Sequence, residues 1–180
     1  MATTTKLRAF HGDPAIKAKY LERVKAHRKA DELVKGVYWQ NGKGCAIGCT
    51  VESGSHARYP AKLGIPVELA YLEDDLFEAL PNAVALRWPE HFLSAITPGA
   101  DLSLVWPQFA VWLLADPDHG TRQYADADGQ RMTDEVVRLY RRVIAGQTVT
   151  ASQWKSAAGA AAWAAGAETP SSQQAVVMRQ

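Results

Sequence analysis

The chain has 180 residues, 47% hydrophobic and 22% charged, with a formal net charge of +1. That length suits one domain with an appendage, and the near-zero charge excludes a global pull toward nucleic acid or an anionic membrane. Two cysteines in one loop exclude a secreted disulfide framework, no apolar window long enough for a membrane span occurs, and no signal peptide is expected, since Met1-Ala-Thr-Thr-Thr-Lys-Leu-Arg has no apolar run long enough for one.

The predicted elements begin at Asp13-Pro14, where Asp13 caps free amides and Pro14 suits the first helical position. Ile16, Tyr20, Val24 and His27 recur at helical spacing, with Leu33 and Val34 closing the stripe and Gly36 as a C-terminal cap. The expectation is a helix over Pro14–Lys35 with a basic outer face of Lys17, Lys19, Arg23, Lys25, Arg28, Lys29 and Lys35. Val37-Tyr38-Trp39 reads as a short strand or an extended entry to the glycine-rich stretch. From Gly42 to Tyr59 no period is visible, and the glycines and Ser53-Gly54-Ser55 predict a loop. Pro66 opens the next helix, whose buried stripe is read as Leu69, Leu72, Leu76 and Leu80 beside Ala70 and Phe77. Its other face is acidic: Glu68, Glu73, Asp74, Asp75 and Glu78. A basic helix and an acidic one are expected to pair, or to face one partner with opposite polarity.

Further on, Pro89–Ile96 is a short helix. Asp101 caps another that carries Trp106, Phe109, Trp112 and Leu113, the most hydrophobic segment and the expected core helix. Pro107 either kinks that helix or marks where its regular part begins. Thr121 to Arg131 reads as polar connection, and Thr133 as the start of a helix ending at Gly146. Thr150-Ala-Ser-Gln153 is a capping box opening an alanine-rich helix with Trp154 and Trp163. Together these elements predict an all-α fold: a compact helical domain over 1–146 with one irregular glycine-rich loop insertion, an alanine-rich helix over 147–167 and a disordered tail over 168–180.

Chemistry concentrates in Gly42-Lys-Gly44-Cys45-Ala-Ile-Gly48-Cys49-Thr50, with His56 beyond. A nucleophilic Cys49 needs a lowered pKa from an imidazolium or aligned amides. Gly44 and Gly48 allow such an amide cradle, and His56, or a distant His11, His27 or His91, is the candidate base. The competing reading is that both cysteines are small buried hydrophobes under a tight loop. Cys45, Cys49 and His56 supply three zinc donors, but a second cysteine pair is missing. Asp74 and Glu78, one turn apart, are a magnesium motif only with a facing acidic pair; Asp31-Glu32 is the one candidate and lies among basic residues. Asp126-Ala-Asp-Gly129 lacks the rest of a calcium loop and reads as a turn. No cofactor or metal is predicted. The binding-surface candidates are Arg23, Arg28 and Lys29 on the basic face and Asp74, Asp75 and Glu78 on the acidic one.

The run Phe10-His11-Gly-Asp13, Lys17, Tyr20, Arg23-Val24, His27-Arg28 and Ala30-Asp31 resembles the opening of an uncharacterised protein family found on phages and plasmids. Gly44-Cys45-Ala, Gly48-Cys49-Thr50, His56, Tyr59, Leu63-Gly-Ile-Pro66, Leu69-Ala70, Leu72-Glu73-Asp74, Phe77-Glu78 and Leu80-Pro81 extend the resemblance. Members of that family often end in alanine-rich helices. The resemblance implies a mobile-element origin and assigns no activity or catalytic residue. The resulting expectation is a non-enzymatic accessory protein in the host cytoplasm that binds a host or viral macromolecule. A protein partner is favoured, nucleic acid has weaker support through the basic helix, and a membrane is not expected. The alternative is a small Cys/His-dependent hydrolase or transferase with Cys49 as nucleophile.

Overall fold

Helices make up most of the chain in the computed structural model, which describes residues 7–164 and their side chains as far as residue 158. The all-α expectation holds; the sheet structure among the described residues is one two-stranded hairpin. The tail predicted over 168–180 and the end of the alanine tract lie outside the described residues. Two compact units divide between Ser103 and Leu104. Among the described residues no helix is long and apolar enough to cross a membrane.

The first unit opens with a turn at Ala9–Gly12, where Phe10 and His11 take left-handed backbone, φ 52° and 51°. Such geometry is costly for a bulky residue. Here Phe10 is fully buried, and Ala9 is held on both sides: its N–H donates to Ala100 O at 3.0 Å, and its carbonyl accepts from Gly99 N at 2.7 Å. Helix α1 spans Pro14–Lys29, with Asp13 accepting from Ala15 N at 2.8 Å, the predicted cap. It stops short of Lys35. Asp31 goes left-handed at φ 54°, Asp31 N donates to Arg28 O at 3.2 Å and Glu32 N to His27 O at 3.0 Å. This is the Schellman closure, with aspartate where glycine is usual.

The segment expected as a loop has regular structure. Strands β1 (Trp39–Gln40) and β2 (Lys43–Gly44) pair antiparallel, joined by Asn41-Gly42 at φ 52° and 82°. Two left-handed residues in a two-residue connection make the turn that asparagine-glycine favours. Gly44 also donates to Glu32 O at 3.0 Å and accepts from Val34 N at 2.9 Å. Helix α2 comes next at Ala46–Val51, and every one of its residues is buried. A helix that is small or apolar all round has no amphipathic period to read.

Beyond it lie α3 (Arg58–Leu63), α4 (Val67–Ala79), α5 (Asn82–Ala85) and α6 (Trp88–Ala95). Helix α2 packs against α1, α3, α4 and α6 and so lies at the centre of this unit. The buried face of α4 is Leu69, Ala70, Glu73, Asp74 and Phe77, rotated from the leucine stripe expected over 69–80. Two of its acids therefore point inward. The basic side chains of α1 do not need α4: Arg23 pairs with Glu52 at 3.3 Å, Arg28 with Glu90, and Lys17 donates to the carbonyls of Ser94 and Ile96.

The second unit holds α7 (Val105–Ala115), a 3-10 turn (Thr121–Tyr124), α8 (Ala127–Ile144) and α9 (Ala151–Ala164). Pro107 falls in the first turn of α7, so the regular helix begins there without a kink. Its buried residues are Pro107 and Ala110, whereas Trp112 and Leu113 remain exposed. Helix α8 starts about two turns before Thr133, because Asp126 caps it by accepting from Gly129 N at 2.8 Å. The Thr150–Gln153 capping box forms in both directions, at 2.9 and 3.3 Å. Tyr140 joins all three helices: it accepts from Trp106 Nε1 at 3.1 Å and packs on Trp154 with ring centres 4.7 Å apart.

Candidate functional site

The glycines of the central segment serve close approach of two chain segments. A methyl group on Gly48 would lie 1.7 Å from Tyr38 O, and one on Gly44 2.3 Å from the same atom. Helix α2 thus sits directly under the backbone of 37–39. Three amides of the segment are already engaged: Gly44 N donates to Glu32 O, Cys45 N to Val37 O at 2.7 Å and Cys49 N to Cys45 O at 3.0 Å; those of Ile47 and Gly48, at the start of α2, face the Cys45 sulfur.

Both cysteines are free and buried. The Cys49 thiol faces the carbonyls of Gly44 and Glu32 at 3.4 and 3.5 Å, and burial pushes it up to about 12. Burial, reinforced by Asp74 close by, raises Cys45 to about 12 as well. Neither thiol is poised as a thiolate at neutral pH. Two of the candidate bases are committed to carboxylates, and a third, His11, has its Nε2 3.1 Å from the Ala61 carbonyl. His56 Nε2 lies 3.0 Å from Asp74 Oδ2, and His27 Nδ1 lies 2.6 Å from Glu32. Residues 49 and 56 belong to one unit, yet the hydrogen bonds of the thiol go to backbone oxygens rather than to an imidazole. Among the described residues no three His, Cys, Asp or Glu side chains converge as metal donors.

A polar cluster in the core, unforeseen from the sequence, takes the inward acids of α4. Tyr59 OH donates to Glu73 Oε2 at 2.7 Å, while Trp88 Nε1 donates to the Glu73 carbonyl at 3.0 Å. Glu73 Oε1 is buried without a hydrogen-bond partner. Burial raises its carboxyl to about 8, and burial likewise holds the Tyr59 phenol well above its usual range. Asp74, expected on the surface, is buried. Its Oδ1, opposite the oxygen bound by His56, receives no N–H or O–H donor.

A second stripe runs along the edge of the buried face of α4, from buried Asp74 to exposed Tyr71, Asp75 and Glu78. Tyr71, Asp74, Asp75 and Glu78 have the spacing i, i+3, i+4 and i+7 that places residues on one helix face. Facing it is the segment Gly36–Tyr38, fixed from below by α2. Between them lies a cleft of about 310 Å³ lined by Gly36, Val37, Tyr38, Asp74, Asp75 and Glu78. Gly36 N donates to both Glu78 oxygens at 3.1 Å, which ties the two walls together. At the rim Tyr38 is 61% exposed and Tyr71 52%. His56 stacks on Tyr71 at 4.5 Å between ring centres and meets Tyr38 edge-on at 5.6 Å. The spacing of Tyr71 to Asp74, Asp75 and Glu78 was the available signal for this face; Tyr38 had none, because only the folded hairpin brings it there.

The basic candidates are elsewhere. Arg23 is half-buried and also donates to Thr50 O at 3.2 Å, Arg28 is engaged by Glu90, and Lys29 is exposed. The chain matches no family model, no curated protein and no solved structure.

Proposed function

We propose that this chain is an accessory protein of a phage or other mobile element, and that it acts without catalysis by binding a host or viral protein through the cleft between Gly36–Tyr38 and α4. The mobile-element origin rests on the sequence resemblance alone. The observation that carries the binding reading is the pair of exposed tyrosines, Tyr38 and Tyr71, flanking a cleft whose walls are braced by the Gly36–Glu78 hydrogen bonds. Exposed aromatic side chains on a rigid support are what protein interfaces use as anchors. Against a hydrolase or transferase stands the buried Cys49 thiol, raised to about 12 and directed at backbone carbonyls rather than at an imidazole. Against a nucleic-acid role of α1 stands the pairing of Arg23 and Arg28 with carboxylates.

A photo-crosslinking residue at Tyr38, compared with one at Tyr124 in the other unit, tests this in host extract. Tyr124 is 82% exposed and serves as the control for mere accessibility. The expected result is one protein, identified by mass spectrometry, joined from position 38 and not from 124. Rebuilt from purified components, that pair should weaken about tenfold with Asp75→Lys, while the melting temperature of the variant stays unchanged. Equal capture from both positions, or undiminished affinity with Asp75→Lys, overturns the reading. Alkylation of Cys49 in the native chain at neutral pH, with loss of an activity, would favour the enzyme instead.

A further inference from the structure

We infer that Asn41, at the tip of the hairpin, is a site of spontaneous covalent modification, where the backbone nitrogen of Gly42 displaces ammonia from the asparagine side chain. This inference does not rest on what the cleft binds. Asn41 is followed by glycine, which offers its amide with no side chain to obstruct the approach. Asn41 is also exposed, and among the described residues the side chains of Gln40, Asn41 and Lys43 make no hydrogen bond or ion pair. The tip itself is weakly held. Beyond the Trp39–Gly44 pair only Gln40 and Lys43 face each other. The base, by contrast, is fixed by Gly44 N on Glu32 O, Val34 N on Gly44 O and Cys45 N on Val37 O. Residues 40–43 can therefore open while the base stays closed.

Opening is a required step. In the closed turn Asn41 is left-handed at φ 52°, and ψ in a mirror-image turn of this kind is about 30°. There the Gly42 nitrogen lies nearly opposite Cβ of Asn41, out of reach of Cγ. Rotation about ψ brings the nitrogen and Cβ to the same side, and the co-reactant is then water alone. The amide gives its proton to hydroxide, and its nitrogen attacks Cγ. The N–Cγ bond forms, the Cγ–Nδ2 bond breaks, and Nδ2 leaves as ammonia with a proton from water. Water then opens the cyclic imide. Cleaving the new N–Cγ bond gives aspartate; cleaving the original peptide bond gives isoaspartate, whose main chain runs through the side chain. Nothing is oxidised or reduced. The two products differ in effect. Asp-Gly fits the same turn, so aspartate leaves the hairpin closed. Isoaspartate adds a methylene to the main chain in a connection of only two residues, and the Gln40–Lys43 pair loses its register.

The test ages the full chain in mildly alkaline buffer and digests it with trypsin. Cleavage after Lys35 and Lys43 releases a peptide in which Asn41 is the sole asparagine, and electron-transfer fragmentation tells aspartate from isoaspartate. Asn82 is the internal control: it is also exposed, but Ala83 follows it and its carbonyl accepts from Leu86 N at 3.1 Å in α5. Asn41 is expected to react at least about tenfold faster than Asn82, and about tenfold more slowly in the folded chain than in urea, because the tip must open first. By NMR, Asn41→Asp should keep the amide shifts of residues 39–44, and the isoaspartate form, separated by chromatography, should lose them. Equal rates at the two asparagines, equal rates at Asn41 with and without urea, no reaction at Asn41 in the folded chain, or an isoaspartate form with the shifts of the unaged hairpin overturns the proposal.

Discussion

Among single residues, Glu73 has the clearest consequence. It is fully buried, accepts from Tyr59 and has one oxygen without a partner. Burial raises its carboxyl from the ordinary 4.5 to about 8. Between those values the folded chain holds a proton that the unfolded chain has released, so stability falls as pH rises through that window and levels off above it. Urea unfolding between pH 5 and 9 should show this decline, and Glu73→Gln, which cannot ionise, should flatten it. A wild-type curve as flat as the variant's would remove Glu73 as its source. Residue types in this region were legible in the sequence, but their environment was not. Glu73 and Asp74 read as solvated acids because their partners, Tyr59 and His56, lie on other elements. The cysteine–histidine spacing suggested chemistry, yet the folded chain gives the thiols to backbone carbonyls and the imidazole to Asp74.

Among elements, the contact between α2 and the segment 37–39 decides the geometry of the cleft wall. The obstacle to a side chain at Gly48 is a backbone oxygen, which cannot swing aside as a rotamer does. Gly48→Ala is expected to cost about 3 kcal/mol or more, at the upper end of overpacking. Gly42→Ala has left-handed backbone at φ 82° but open space around it, and should cost about 1–2 kcal/mol. Chemical denaturation of the two variants checks the order; a milder effect at Gly48 would contradict the close approach. The starts of α1 and α9 were legible because caps are local: Asp13 with Pro14, and Thr150 with Gln153. The end of α1 was not, because aspartate at 31 takes the conformation usually left to glycine. The hairpin has its signal in Asn41-Gly42, which the surrounding glycines mask. Helix α2 had no signal, since a helix buried on every side leaves no alternation of polar and apolar positions.

Across the whole molecule, the described side chains of the two units differ in how much large volume they enclose. Tyr59, Phe10, Phe77, Ile47, Leu63, Ile65, Leu93 and Val24 are fully buried before Ser103, against Leu139 and Val137 after it. Local stability tracks such burial. Hydrogen exchange should therefore be slowest in α2 and α4 and faster throughout α8; equal protection in both would show that burial does not set the order. The division itself was hard to see in sequence, because Asp101-Leu-Ser-Leu104 resembles any other short helix connection. A different property arises from the paired backbone bonds of Ala9 with Gly99 and Ala100. The chain of the first unit leaves where it entered, so the cleft and its support form a closed loop of sequence. Such a cassette can be inserted into an exposed loop of an unrelated scaffold, or circularly permuted, without prying its ends apart, and this makes the cleft a transferable part.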